Sequence, residues 1–401
     1  MPSLQNADKA MASAIISGGG IGGLCAAIAL ARSGWQVTVL ERASEFQEFG
    51  AGLQLSANAF HILADWGLSD VLLAHGVEPD GVEIRRAETA RLLAHVPVNT
   101  SRTRYGAPYL VIHRADLHSI LLNAARSLPT LSLRTGCVIA DATLREDGVS
   151  VRIADGSCED QQSADMLVVA DGVWSKLRTE LFHLPQAQYS GMTAWRALIP
   201  MDAVPNGISR TATSAWLSGK GHMVHYPVNA GTHFNIIVNI PDKWQEETWS
   251  AEANGADLLS ALASWHDTPL SLLKAVPDWT KWALCAPKPT GRAAKGLAVL
   301  VGDAAHATLP FMAQGAAMAI EDSAVLARCL NEDTDTPAAL QTFEQKRAHR
   351  VVSLVKEANK NRTIYHLSGP AAVARDMTLR MMPEDRLLAR FDWIYGWRYD
   401  R

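Results

Sequence analysis

The chain has 401 residues, 48% of them hydrophobic and 19% charged, which is enough apolar material for one large or two ordinary cores. Its 37 basic residues nearly balance 41 acidic ones, and without a basic block nucleic acid is an unexpected partner. The five cysteines (25, 137, 158, 285 and 329) are odd in number and lack C-x-x-C spacing, which argues against a disulfide framework or a thiol redox pair and fits a reducing cytoplasm.

The opening "MPSLQNADKAMA" has no signal-peptide core and reads as a frayed amino terminus. No run reaches the roughly 18 apolar residues of a membrane span, so a soluble, cytoplasmic chain without integral membrane contact is expected. "ASAIISGGG" is a short apolar run ending in glycines, and "LCAAIALARSG" has helical spacing and stops at Gly34. "WQVTVLER" reads as a second strand, so the three segments make a β-α-β unit whose strands are parallel. Further on, "DLHSILLNAARS" is helical, "LSLRTGCVIADATLREDGVSVRIADG" is hairpin-rich, and "ADMLVVADG" is a buried strand ending in Asp-Gly. From Tyr189 to Ala286 apolar and polar residues alternate between Gly, Asn and Pro turns, the pattern of a mostly antiparallel sheet. "GLAVLVGDAAH" then restores the α/β style, followed by helical stretches from Met312 to Leu330 and from Pro337 to about Ser368.

The expected fold is α/β: a Rossmann-like nucleotide domain interrupted by an antiparallel sheet, with helices at the C-terminus. Its parts are placed at residues 11–185 and 287–370 for the nucleotide domain, 186–286 for a substrate-binding sheet domain, and 371–401 for a helical tail.

Gly18, Gly20 and Gly23 form G-x-G-x-x-G at the first strand-to-helix turn. The first permits the tight turn, the second lets the backbone approach a pyrophosphate, and the third allows close helix–strand packing. Glu41 stands about 20 residues on, where a carboxylate can accept from a ribose hydroxyl and would repel a 2′-phosphate. The alternative is a glycine turn that only packs helix on strand, and the acid at that distance argues against it.

Two downstream segments, "LVVADGVWSKLR" and "GLAVLVGDAAHATLPFMAQGAAMAIEDS", resemble the Asp-Gly and Gly-Asp motifs of the single-component flavin aromatic hydroxylases, the p-hydroxybenzoate hydroxylase family. The likeness extends through "ERASEFQEFGAGLQLSANA", "YGAPYLVIHRADLHSIL" and a C-terminal "FDWIYGW". Within that family the salicylate, 3-hydroxybenzoate and 6-hydroxynicotinate monooxygenases are the most similar types. The resemblance implies bound FAD, with Arg42 beside the adenosine, Arg114 near the pyrophosphate, and Asp171 of the Asp-Gly pair serving both FAD and a passing pyridine nucleotide. Asp303 would take a ribityl hydroxyl, and the helix opened by Gly315 and Ala316 would face the flavin pyrimidine with free N–H groups. With one glycine motif in the chain, NADH (or NADPH) is expected as a transient co-substrate, and no metal site is expected. By the same resemblance reduced flavin reacts with O2 to give a C4a-hydroperoxide that attacks an electron-rich ring.

In "KGHMVHYP", His222 and Tyr226 fall on one strand face and His225 on the other. His222 and Tyr226 resemble the pocket histidine and tyrosine of the family; the alternative is that both pack the sheet. Arg196 can pair with a substrate carboxylate or form a structural pair. Gln54 stands where 6-hydroxynicotinate enzymes carry a histidine, which favours benzenoid acids. Pro310 precedes the flavin helix and can face the hydroxylation site, whereas His306 is expected to be structural.

The expected activity is therefore hydroxylation of a small hydroxylated aromatic carboxylate of salicylate or 3-hydroxybenzoate type. The alternatives are 6-hydroxynicotinate, or larger uncharged aromatics or quinones. A flavin halogenase would show W-x-W-x-I-P, and Ala197 stands at the second tryptophan place. A disulfide reductase would need paired cysteines, and a non-enzymatic flavin binder is separated by substrate-stimulated NADH oxidation. Either a monomer or a homodimer is compatible with the sequence.

Overall fold

In the computed structural model, which describes residues 11–47, 52–154, 159–244 and 250–400, the β-α-β reading of the amino-terminal segment is realised directly. The leading residues, Cys158 and part of the "EFGAG" stretch lie outside the described residues. Strand Ser13–Ser17 feeds helix Ile21–Arg32, which returns the chain to strand Gln36–Leu40, parallel to the first.

These strands belong to a six-stranded sheet in the order Ala294–Lys295, Ala298–Leu300, Met166–Val169, Ser13–Ser17, Gln36–Leu40, Leu131–Arg134. Only the Ala294–Lys295 edge is antiparallel. Helix Ile21–Arg32 is apolar almost all round, because it lies between this sheet and helix Gly315–Glu332. Ile16, Val168 and Val299 fill one side of the sheet with Ala26, Ala27, Leu30 and Leu326.

The alternating segments after Tyr189 form most of an eight-stranded sheet in the order Ser250–Ala253, Trp279–Ala286, Gln188–Pro200, His233–Pro241, Gly221–Val228, Thr213–Ser218, Val82–Arg86, Leu92–Val96. Its last two strands come from residues 82–96, far upstream in the chain, and Val82–Arg86 joins in parallel to Thr213–Ser218. One face is covered by Trp195, Trp216, Phe234, Leu258, Leu262 and Trp279. The opposite face points toward the nucleotide domain, where the two-stranded pair Gly52–Leu55 and Leu110–His113 comes up against it.

Helix Thr336–Tyr365 runs along the molecule, and the chain ends in three shorter helices from Gly369 to Tyr395. The flavin-side helix begins at Gly315; Met312 to Gln314 form a loop that precedes it. No helix among the described residues is long and apolar enough to cross a membrane.

Candidate active site

The glycine turn has the geometry its spacing predicts. Gly18 adopts φ +100, and a Cβ there would meet the Ala170 carbonyl oxygen at 2.5 Å, so backbone fills the space a side chain would need. Gly23 abuts the Gly18 carbonyl in the same way, and Gly20 caps helix Ile21–Arg32 in an extended conformation. The helix amino terminus therefore opens at the turn with its first N–H groups unused. Glu41 follows strand Gln36–Leu40; its Oε2 accepts from the Gly19 N–H at 2.7 Å and its Oε1 from the Ala43 N–H at 2.9 Å. His118 holds the Gly19 carbonyl at 2.8 Å from the other side.

Asp171 follows strand Met166–Val169, beside this turn. Its Oδ1 is buried without a hydrogen-bond partner among the described residues. Burial pushes its carboxyl up to about 6, against the pull of Ser175 and Arg42, so Arg42 lies within electrostatic reach of Asp171. Gly302, at φ +57, donates to Asp322 at 2.9 Å and packs against Gly22 across the two turns. Asp303 is exposed at the start of the helical turn Asp303–His306, and Gly315 opens its helix with no atom within 4 Å of where a Cβ would stand. The cradles, the orphaned Asp171 oxygen and two free helix starts fit a dinucleotide flavin.

The residues expected on the substrate side fall into two neighbouring groups. Tyr226 is buried where strand Gly221–Val228 passes the Gly52–Leu55 strand; a Cβ at Gly52 would meet its ring at 2.5 Å, so glycine is required for that approach. Gln54, two strand residues from this contact, accepts from the Tyr109 hydroxyl. Tyr109 packs edge-on to Tyr395 at 5.8 Å, and Tyr395 stacks on Phe391 at 5.3 Å.

Arg196 projects from the central strand of the sheet and lies over the Trp282 ring at 4.9 Å. Its Nε is buried without a hydrogen-bond partner, and no carboxylate pairs with it among the described residues. Burial and then the like charge of Arg114 pull its pKa down to about 10, while Tyr226 acts in the opposite direction. Arg114 begins helix Arg114–Arg126 and has interactions of its own. Arg114, Arg196, Tyr226 and Gln54 are thus drawn to one region, a desolvated positive site beside phenol rings.

His222 lies on the Tyr226 strand, Gly221–Val228, its ring 5.2 Å from Phe311, the residue after the exposed Pro310, and 5.3 Å from Tyr365. Both of its nitrogens are engaged: Asn239 Nδ2 at 3.0 Å from Nε2, and His366 Nε2 at 2.9 Å from Nδ1. Tyr365 connects the two groups, because it also acts electrostatically on Tyr109 and Tyr395. His225 faces away and accepts from Trp216 Nε1 at 2.8 Å in the opposite core.

His306 is bound to Asp322 at 2.5 Å within a buried ion-pair network. Arg347 bridges Asp322 at 2.7 Å and Glu321 at 2.8 Å, and Arg350 holds Glu321 at 2.6 Å while donating to the Trp393 and Ile394 carbonyls of the tail. Glu321 also accepts from Asn58, which donates in turn to Gln314 at the start of the flavin-side helix. Asn58, His118, Asn239, Tyr109, Tyr365, His366 and Tyr395 were not singled out from sequence. Of these only Asn58, Tyr109, His118 and Tyr395 lie inside quoted motif stretches.

The family model described as FAD binding domain matches residues 11–358. The 3-hydroxybenzoate 6-hydroxylase 1 of Aquipseudomonas alcaligenes is 34% identical over 384 residues, covering 95% of this chain and 97% of that protein. The 6-hydroxynicotinate 3-monooxygenase of Pseudomonas fluorescens is 34% identical over 352 residues, covering 86% and 90%. Among solved structures, Klebsiella pneumoniae HpxO with FAD and uric acid aligns with TM-score 0.83 at 26% identity, covering 94% of this chain and 95% of that one. A salicylate hydroxylase substrate complex shares the fold at TM-score 0.83 and 24% identity, covering 98% and 97%.

Proposed function

We propose that this chain, which belongs to the FAD-binding family of flavin-dependent aromatic monooxygenases, hydroxylates a small phenolic carboxylate of the 3-hydroxybenzoate or salicylate type, using NADH and O2. The observation that carries the carboxylate is Arg196: a buried guanidinium with an orphaned Nε and no acidic partner among the described residues, beside a second cation and the Tyr226 ring. A buried, unpaired cation is costly, and a planar carboxylate satisfies it with two charge-assisted bonds.

FAD, when bound, supplies the electron transfer from NADH and the activation of O2. Gly18, Gly20 and Gly23 would admit its pyrophosphate, with Arg114 near it. Glu41 and Arg42 would take the adenosine end, Asp171 and Asp303 would bond hydroxyls, and the N–H groups of Gly315 and Ala316 would meet the ring. The chain's own part is to bind the acid at Arg196, orient the ring against Tyr226 and Gln54, and keep the region under Pro310 and Phe311 dry. His222 takes the phenol proton, which makes the ring electron-rich. The odd number and spacing of the cysteines fit a cytoplasmic location.

The test is NADH oxidation by the purified yellow holoenzyme with salicylate, 3-hydroxybenzoate, 4-hydroxybenzoate and 6-hydroxynicotinate, with product quantified. One benzenoid acid should stimulate oxidation with near-stoichiometric hydroxylation. Turnover of only the nicotinate, or only of uncharged aromatics, would overturn the assignment.

A further inference from the structure

A base buried as deeply as His222 needs somewhere to send the proton it takes. Its ring is 1% exposed, walled by Phe311 at 5.2 Å and Tyr365 at 5.3 Å. Asn239 is a donor at Nε2, so the hydrogen-bond network assigns the ring hydrogen to Nδ1, and that Nδ1–H donates to His366 Nε2 at 2.9 Å. His366 caps helix Thr336–Tyr365, is half-buried, and interacts with the Arg362 backbone. The two imidazoles therefore form a continuous path from the interior toward the surface.

We propose that His366 is a positioning residue for His222 and the outlet of its proton: it fixes the Nδ1–H tautomer, leaving Nε2 as the basic nitrogen, and receives the Nδ1 proton when Nε2 is protonated. This rests on the phenol reading above. A phenol hydroxyl is a stronger acid than the Asn239 amide and competes with it for the Nε2 lone pair. The phenol O–H bond breaks as N–H forms at His222 Nε2. The Nδ1–H bond of His222 breaks as N–H forms at His366 Nε2, and one proton leaves to water from His366. No electrons are transferred in the relay.

The environment favours outward movement. Burial first, and then His366, hold His222 well below the usual histidine range, so a cation does not persist there. His366 is lowered less, to about 4, by burial and by the cations Arg362 and Arg375, with the Arg362 backbone bond acting against them. Both rings are neutral at rest, and charge arriving on the pair settles on the wetter member. Asn239 Oδ1, buried without a partner, is available to Nε2–H by an amide flip once that nitrogen carries the proton.

The experiment compares wild-type, His366→Gln and His366→Ala holoenzymes with 3-hydroxybenzoate as probe. Flavin content and melting temperature serve as folding controls. Both variants should lose about tenfold or more in kcat with KM for the acid nearly unchanged, and should acquire a steeper rise of kcat with pH, because hydroxide replaces the outlet. Imidazole should restore His366→Ala, whose cavity admits it, and leave His366→Gln slow. Wild-type rates in either variant, or an unrescued loss with the wild-type pH profile, would overturn the relay and leave the hydroxylase reading standing. Wild-type enzyme inert toward all the phenolic acids would refute that reading instead. The imidazole nitrogen NMR spectrum then decides the pair alone: His222 must carry its hydrogen on Nδ1, and that signal must move in His366→Gln.

Discussion

Replacing Arg196 with methionine should separate binding from stability in an unusual direction. The guanidinium is buried, stacked on Trp282, short of one hydrogen-bond partner at Nε, and faces the charge of Arg114. A pKa pulled down to about 10 means that the folded state disfavours the charged form. By the conversion of about 1.4 kcal/mol per unit, this costs roughly 3 kcal/mol. Below pH 10 both folded and unfolded chains carry the proton, so the full cost applies at neutral pH and is relieved only as the pH rises through 10 toward the unfolded value. Methionine keeps apolar contact with Trp282 but loses a cation–π interaction worth about 1 kcal/mol. The variant should therefore be more stable by roughly 2 kcal/mol in denaturant titration of the flavin-free protein. Its kcat/KM for a phenolic carboxylate should fall about 10- to 150-fold, the loss of a charged hydrogen-bond pair worth roughly 1.5–3 kcal/mol. A variant that unfolds more easily and hydroxylates as well as wild type would refute the reasoning, because Arg196 would then be a structural residue.

Gly18→Ala forces a side chain onto a φ of +100 and against the Ala170 carbonyl at 2.5 Å, so it should purify with FAD affinity weakened about tenfold or more, measured by flavin retention on dialysis. Glu321→Leu strands Arg350 and half-strands Arg347 in the interior, and should cost about 3–5 kcal/mol in denaturant unfolding. At Asp322, burial raises the carboxyl pKa but His306 and Arg347 outweigh it and bring it to about 2. The folded value is below the unfolded one of about 4, so this contribution is complete above pH 4 and lost as pH falls toward 2. Asp322→Asn should flatten that part of the acid unfolding curve.

The nucleotide turn was legible because its determinants are local: three glycines and an acid within one β-α-β unit, each required by backbone geometry at its own position. The alternation from Tyr189 to Ala286 was legible for the same reason, since period-two burial shows along a single strand. Residues 82–96 gave no such signal for their place in that sheet, because joining it depends on a parallel pairing with Thr213–Ser218 over a hundred residues away. The site's partners were hidden in the same manner. His222 was identified in its strand, but Asn239 comes from the next strand and His366 from the end of a helix. Tyr395 reaches Tyr109 from a tail that Arg350 ties to Glu321 and Arg104 anchors through Asp392. Arg347 and Arg350 sit in a stretch whose sequence shows only that it is helical, and the acidic pair at 321–322 opposite explains their burial.

The measurement that bears most directly on the account is isotopic: turnover of the purified holoenzyme with NADH, a phenolic carboxylate and ¹⁸O2, followed by mass spectrometry of the product. The account predicts one labelled oxygen on the ring for each NADH consumed, with labelled product formed about 10- to 150-fold more slowly at sub-saturating acid when Arg196 is replaced. NADH oxidation that yields only hydrogen peroxide, or a product whose new oxygen comes from water, would contradict it.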